Sequence, residues 1–177
     1  MADGAAAGRD PDADFAAAVE LVLGNEGDLV DDPCDPGGVT HWGISLRAYP
    51  QLRRAGILAL TREQAKALYK ADWWDKHHFG ALPWPVSAKV FDLAVNLGAQ
   101  AAIRLLQGAC VACGQPIAVD GAIGPATVAA ARACEAGALR QMLTAAAAAH
   151  YRALARENPA LVRFLAGWLN RTDRWSA

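Results

Sequence analysis

The chain has 177 residues, of which 54% are hydrophobic, and its 17 basic and 18 acidic residues leave a formal net charge of −1. This length favours one compact domain, or one domain with a small added lobe. The balanced charge shows no basic excess of the kind typical of nucleic-acid binding, and no apolar stretch is long enough to span a membrane. We therefore expect neither nucleic acid nor stable membrane insertion.

The amino-terminal residues 1–14 are rich in glycine, alanine and aspartate. They lack the basic start and the apolar centre of a secretory signal. We expect a disordered tail over these residues, and synthesis in the cytoplasm without a signal peptide.

Helix signals dominate the rest of the chain. An apolar stripe predicts a first helix over residues 14–23, capped by Asp12 or Asp14 and stopped at Gly24. The turn-rich loop over residues 25–43 has room for a short hairpin. The sequence Thr-Arg-Glu-Gln at 61–64 is a capping box that predicts a helix to residue 73. Further helices are predicted over residues 85–97, 99–113, 125–135, 138–157 and 160–170. The first of these has Pro85 in its first turn, Gly98 as its stop and an apolar face that carries Val86, Val90, Phe91 and Ala94.

The cysteines give no strong metal or disulfide pattern. Buried free thiols are the favoured interpretation, and a metal site built on Cys110 and Cys113 with Cys134 or His150 is the alternative. The adjacent pair His77 and His78 lacks a third ligand in register. We expect no metal and no other cofactor.

Glu26 is the first candidate for catalysis. It continues the apolar stripe of Phe15, Val19 and Val22 at the end of the first predicted helix. Partial desolvation and the negative end of the helix dipole would both raise its pKa, as a glycosidase general acid requires. The alternative, equally weighted from periodicity, is a glutamate that turns into solvent.

The residues around Glu26 form an ordered set of motifs: Asn-Glu-Gly at 25–27, Asp-Pro-Gly-Gly at 35–38 and Thr-His-Trp-Gly-Ile at 40–44. This set resembles glycoside hydrolase family 108, the N-acetylmuramidase domain of phage endolysins and related bacterial proteins. Later blocks resemble the peptidoglycan-binding segment of that family, so the resemblance covers residues 15–171. Asp28, His41 and Trp42 stand where the family typically has glycine, asparagine and tyrosine.

The resemblance implies a mainly α, lysozyme-like helical fold with a small β-hairpin after the first helix. It implies a muramidase catalytic part over residues 15–95 and a helical peptidoglycan-binding-like part over residues 96–177, packed in one globule. It also implies a bacteriolytic hydrolase that cuts the β-1,4 bond between N-acetylmuramic acid and N-acetylglucosamine, with Glu26 as the acid. A lytic transglycosylase, or a non-catalytic wall-binding or secretion-helper protein, is the alternative.

The partner of Glu26 in catalysis is less defined. The resemblance to phage lysozymes implies that Asp35 acts as a base or stabilises the transition state, and that Thr40 holds the attacking water. For Asp35, a simple turn-forming role before Pro36 is equally weighted.

The other candidates are substrate-binding residues. Aromatic rings that can carry a sugar are His41, Trp42 and Trp74, although tryptophan is more often a core residue. Asp92 and Asn96 share one helix face, and they either line the groove or hydrogen-bond the catalytic loop. The expected partner is bacterial peptidoglycan in the periplasm or cell wall, reached through a holin or a secretion system.

Overall fold

The chain folds mainly into α-helix. The computed structural model describes residues 10–26, 29–31 and 38–173, apart from the side chains of Pro11 and Glu26. The elements are, in chain order, α1 (Pro11–Glu26), β1 (Thr40–His41), β2 (Ile44–Ser45), α2 (Arg53–Leu58), α3 (Arg62–Tyr69), α4 (Val86–Leu97), α5 (Ala99–Ala112), α6 (Pro125–Ala133), α7 (Ala136–Glu157) and α8 (Val162–Asp173). The predicted mainly α, lysozyme-like fold with a small hairpin after the first helix is confirmed.

The first helix is longer at both ends than the apolar stripe predicts. Asp10 is at its start, where the Asp10 carboxylate accepts a hydrogen bond of 3.0 Å from the backbone N–H of Asp12. The prediction of a disordered tail is therefore wrong for residues 11–14, and residues 1–9 lie outside the described residues. At its other end α1 passes through Gly24 and finishes at Glu26. Burial of the preceding Val22 and Leu23 outweighs the weak helix propensity of glycine.

The segment between the hairpin and α4 follows local signals only in part. The capping box at 61–64 is confirmed, because the Thr61 hydroxyl accepts from the backbone of Gln64 while the Gln64 side chain accepts from the backbone of Thr61. Helix α3 does not continue to residue 73 as predicted, since Lys70–Asp75 adopts a π-helix. Helix α2 was not predicted.

Helix α4 runs through the centre of the fold. All of its residues from 86 to 94 are buried, so the one-sided apolar stripe predicted for it describes only part of its surface. It packs against α1, α5 and α7. The helix begins directly after Pro85, one residue later than predicted, and ends at Leu97 before Gly98, whose φ of 87° suits glycine at the predicted stop.

The carboxyl-terminal helices complete the fold. Helix α5 packs against α4 and α7, and α7 packs in turn against α8. Helices α5 to α8 match their predicted ranges to within three residues at each end. A single cluster of buried apolar side chains extends from Phe15 to Tyr151 and so joins α1 to α7. No helix of the described residues is both long and apolar enough to cross a membrane.

Candidate active site

The candidate site starts at the end of α1. Glu26 is the last residue of this helix, and no basic residue lies in the last turn of α1. The helix presents Val19, Val22 and Leu23 to the core. Its carboxyl end is therefore fixed by packing, and the partial negative charge of the helix end acts on the position of Glu26.

Asn25, next to Glu26, is tied to the central helix. The Asn25 side-chain amide donates a hydrogen bond of 3.1 Å to Oδ1 of Asp92 in α4. Asp92 is 1% exposed, and Arg171 of α8 donates to both of its carboxylate oxygens, with its Nε 3.0 Å from Oδ1 and 3.1 Å from Oδ2. The end of α1 is thus linked through Asp92 to Arg171 of α8, which lies 79 residues after Asp92 in the chain.

The first strand of the hairpin pairs with the segment that follows α1. Thr40 exchanges two backbone hydrogen bonds of 2.8 Å with Val30, which is four residues after Glu26. The Thr40 hydroxyl is half-buried and has a long contact of 3.5 Å to the carbonyl of Gly38. Asp35 lies outside the described residues. The structure therefore brings Thr40 to the segment after Glu26, and its catalytic role stays a prediction.

Trp42 and Gly43 form the tight turn of the hairpin, with φ angles of 53° and 76°. Two residues with positive φ are what a two-residue hairpin turn needs, and tryptophan rarely adopts such a backbone. Three contacts hold it there: the Trp42 indole donates to the carbonyl of Leu60, the Tyr69 hydroxyl donates to the carbonyl of Trp42, and the His41 ring stacks on the indole with centroids 5.2 Å apart. His41 and Trp42 are both half-buried, and the Arg62 guanidinium lies 5.9 Å from the centroid of the indole. A role for the two rings in sugar binding stays a prediction.

Trp74 is a core residue, which corrects its prediction as a substrate-binding ring. The side chain is 3% exposed and makes edge contacts with Phe15 and Phe91, at centroid distances of 5.6 Å and 5.4 Å. A ring enclosed by other rings has no face left for a sugar.

The side chains of Asp92 and Asn96 form hydrogen bonds within the protein. Burial of Asp92 excludes a direct groove contact, and its bond goes to Asn25, which the structure places in the last turn of α1 and not in the predicted loop. Asn96 donates a hydrogen bond of 2.7 Å to the Tyr151 hydroxyl of α7. Both side chains therefore fasten α4 to its neighbours.

Lys89, which the sequence did not single out, belongs to the same polar face of α4. It is 1% exposed, and its ammonium donates a hydrogen bond of 2.9 Å to the carbonyl of Thr172, next to Arg171. Residues 89, 92 and 96 are polar and lie three and four positions apart, so they share one face of an otherwise apolar helix. This pattern could have predicted that they bond to polar groups of another helix. Nothing in the sequence identified Arg171 or Thr172 as those partners.

The buried amine of Lys89 makes stability depend on pH in the alkaline range. Burial lowers its pKa to about 8, from a usual value of 10.5. Between these two values the unfolded chain keeps a proton that the folded chain has lost, so this group makes stability rise with pH across that window. In urea unfolding, we expect the wild type to gain stability relative to Lys89→Met from pH 8 to pH 10.5. A difference that does not change with pH would contradict this assignment.

The prediction of buried free thiols is confirmed for Cys110, whereas Cys113 and Cys134 are free but only half-buried. Cys110, Cys113 and Cys134 are free, and burial raises the pKa of Cys110 to about 12. Within the described ranges, no three His, Cys, Asp or Glu side chains are arranged to hold a metal ion. Cys34 lies outside those ranges.

Comparison with known proteins divides the chain in two. The family model described as Glycosyl hydrolase 108 matches residues 19–98, and the model described as Predicted Peptidoglycan domain matches residues 101–173. Eleven chains of solved structures match. Among them, SagA of Brucella abortus is 31% identical with a TM-score of 0.75, and the match covers 93% of this chain and 92% of that chain. No curated protein matches.

Proposed function

Because the chain belongs to glycosyl hydrolase family 108, we propose that it hydrolyses the β-1,4 bond between N-acetylmuramic acid and N-acetylglucosamine, with Glu26 as the general acid. The two family matches together make the chain a glycosidase that acts on peptidoglycan. The finer assignment of the bond and of the acid is the proposal.

The observation that carries the proposal is the position of Glu26. It ends a helix whose residues Val22 and Leu23 are buried in the core, and its neighbour Asn25 is anchored to a buried carboxylate. A carboxyl group at the carboxyl end of a helix is favoured in its protonated form, which is the form that donates a proton to the leaving oxygen. The packing of Val22 and Leu23 and the bond of Asn25 to Asp92 would hold that proton donor in one place.

The rest of the site follows from the hairpin. We propose that Thr40 or Asp35 holds the attacking water, and that the rings of His41 and Trp42 contact the glycan. In support, Thr40 pairs with Val30, four residues after Glu26, and His41 and Trp42 follow Thr40 directly in the chain and are only half-buried. We assign the catalytic part to residues 15–95 and peptidoglycan binding to residues 96–177, in support of which the two family matches fall on residues 19–98 and 101–173.

The surroundings in which the enzyme works are also proposed. Its substrate places its action in the periplasm or cell wall. A holin or a secretion system would be the partner that brings it there.

Digestion in ¹⁸O-labelled water tests the reaction. Hydrolysis adds one oxygen from water to the anomeric carbon, so we expect mass spectrometry of digested peptidoglycan to show reducing muropeptides that carry one ¹⁸O. A lytic transglycosylase closes an internal anhydro ring instead and takes up no label. Unlabelled anhydro-muropeptides as the main product would overturn hydrolysis while retaining the glutamate as acid.

A further inference from the structure

A chain of polar side chains, centred on the buried Asp92, connects the end of α1 with α8, the last described helix of the molecule. It consists of Asn25, Asp92 and Arg171, and it crosses from the glycosidase part to the peptidoglycan-binding part. We propose that Arg171 is a positioning residue for catalysis, acting through Asp92 and Asn25 to hold Glu26 in its productive place. The inference rests on the proposed role of Glu26.

The geometry at Asp92 suits orientation. Arg171 is 14% exposed in its side chain and binds both carboxylate oxygens, and one of its terminal nitrogens lies 2.9 Å from Oδ1 and 3.4 Å from the Asp92 carbonyl. A planar guanidinium in such a two-pronged contact fixes the plane of the carboxylate. Oδ1, which accepts from Arg171, also accepts from Asn25, so the direction of that acceptor is set by Arg171.

The end of α1 needs such an anchor. Gly24 lies inside its last turn, has no side chain to pack, and would have no neighbour within 4 Å of a Cβ placed there. Glycine weakens a helix and helix ends fray, so the last turn depends on tertiary contacts. The bond from Asn25 to Asp92 is such a contact one residue before Glu26.

The charges around this chain fix α8 from a second direction. Lys89 of α4 binds the carbonyl of Thr172 and is attracted by the carboxylates of Asp92 and of Asp173 in α8, while the like charge of Arg140 in α7 repels it. Arg171 is therefore held by its bonds to Asp92, and its helix α8 is held by packing on α7 and by the bond from Lys89 to the neighbouring Thr172. This rigidity allows a residue of the binding part to set the position of one in the catalytic part.

The test compares kcat and KM of full-length variants on soluble, uncrosslinked peptidoglycan strands. We expect Asn25→Ala and Arg171→Lys each to lower kcat by about 10- to 100-fold, with KM changed by less than about threefold, since small displacements of a catalytic group cost rate more than binding. Arg171→Lys keeps the charge and loses the fork. The double variant is expected to lose no more than the worse single variant, because both changes break one chain.

Thr127→Val is the matched control. Its buried hydroxyl bonds to Gln107 and to the carbonyl of Ala122 in the peptidoglycan-binding part, away from α1. Even if its melting temperature falls by as much as that of Arg171→Lys, this variant is expected to keep the wild-type kcat. An equal loss of kcat in Thr127→Val, or multiplied losses in the double variant, would overturn the positioning role.

The two proposals fail differently. If Glu26→Gln retains activity, the proposed function fails. If Glu26→Gln is inactive while folded Asn25→Ala and Arg171→Lys keep the wild-type kcat, only the positioning role fails.

Discussion

Replacement of Glu26 by glutamine is expected to lower the rate of cell-wall clearance by about 10²- to 10⁴-fold, the range typical of general acid catalysis. An amide has the shape of the carboxyl group but no proton to give to the leaving oxygen. Because Glu26 ends α1 after its buried residues, the fold should survive the change. Turbidity clearing and the melting temperature, measured on the same preparation, check both parts.

Glu20→Gln is the control on the same helix. Glu20 is exposed and paired with Arg62 and Lys66, and its hydrogen bond with Arg62 is the main cause that lowers the pKa of Glu20 to about 2. Ion pairs between exposed side chains contribute little to stability, and Glu20 is six positions before Glu26. This variant should clear cell walls at the wild-type rate. Loss of activity in both variants would indicate that any change in α1 impairs the enzyme, and it would contradict the assignment of Glu26 as the acid.

Replacement of Trp74 by alanine is expected to destabilise the fold by about 3–5 kcal/mol, the usual cost of removing a large aromatic side chain from a core. The indole fills the space between Phe15, Phe79 and Phe91. Gly80 lies so close that a Cβ there would be 2.9 Å from the indole nitrogen, and therefore the site is shaped around this ring. The midpoint of urea unfolding measures the loss.

Trp74→Phe separates packing from binding. A phenyl ring keeps much of the apolar contact, so this variant should lose less stability and keep the wild-type KM for peptidoglycan strands. If Trp74→Phe folds but its KM is raised tenfold, Trp74 contacts the glycan, and its placement in the core is contradicted.

Features that depend on a few neighbouring residues were predictable from the sequence. The capping box of α3 and the glycine stop of α4 each require only a short segment and the hydrogen bonds of one helix end. The same local logic failed at Gly24, because burial of Val22 and Leu23 carries α1 past it. Local signals therefore predicted helix ends where no tertiary contact opposes them.

The sequence did not predict which groups the polar residues of α4 bind. Asp92 and Asn96 were correctly placed on one face of a helix, but that spacing does not tell whether the face meets a substrate or another helix. The partner Arg171 lies 79 residues after Asp92, and only the packing of α8 brings them together. Trp74 shows the same limit, since the sequence does not tell whether a tryptophan belongs to the core or to a sugar-binding surface.

The central claim is that Glu26 donates a proton to the glycosidic oxygen of peptidoglycan. The most direct test is a structure of Glu26→Gln with a bound tetrasaccharide of alternating N-acetylglucosamine and N-acetylmuramic acid. The account predicts that the side-chain amide at position 26 lies about 2.6–3.2 Å from the glycosidic oxygen that follows an N-acetylmuramic acid unit. A tetrasaccharide bound in a groove that does not reach position 26 would contradict it.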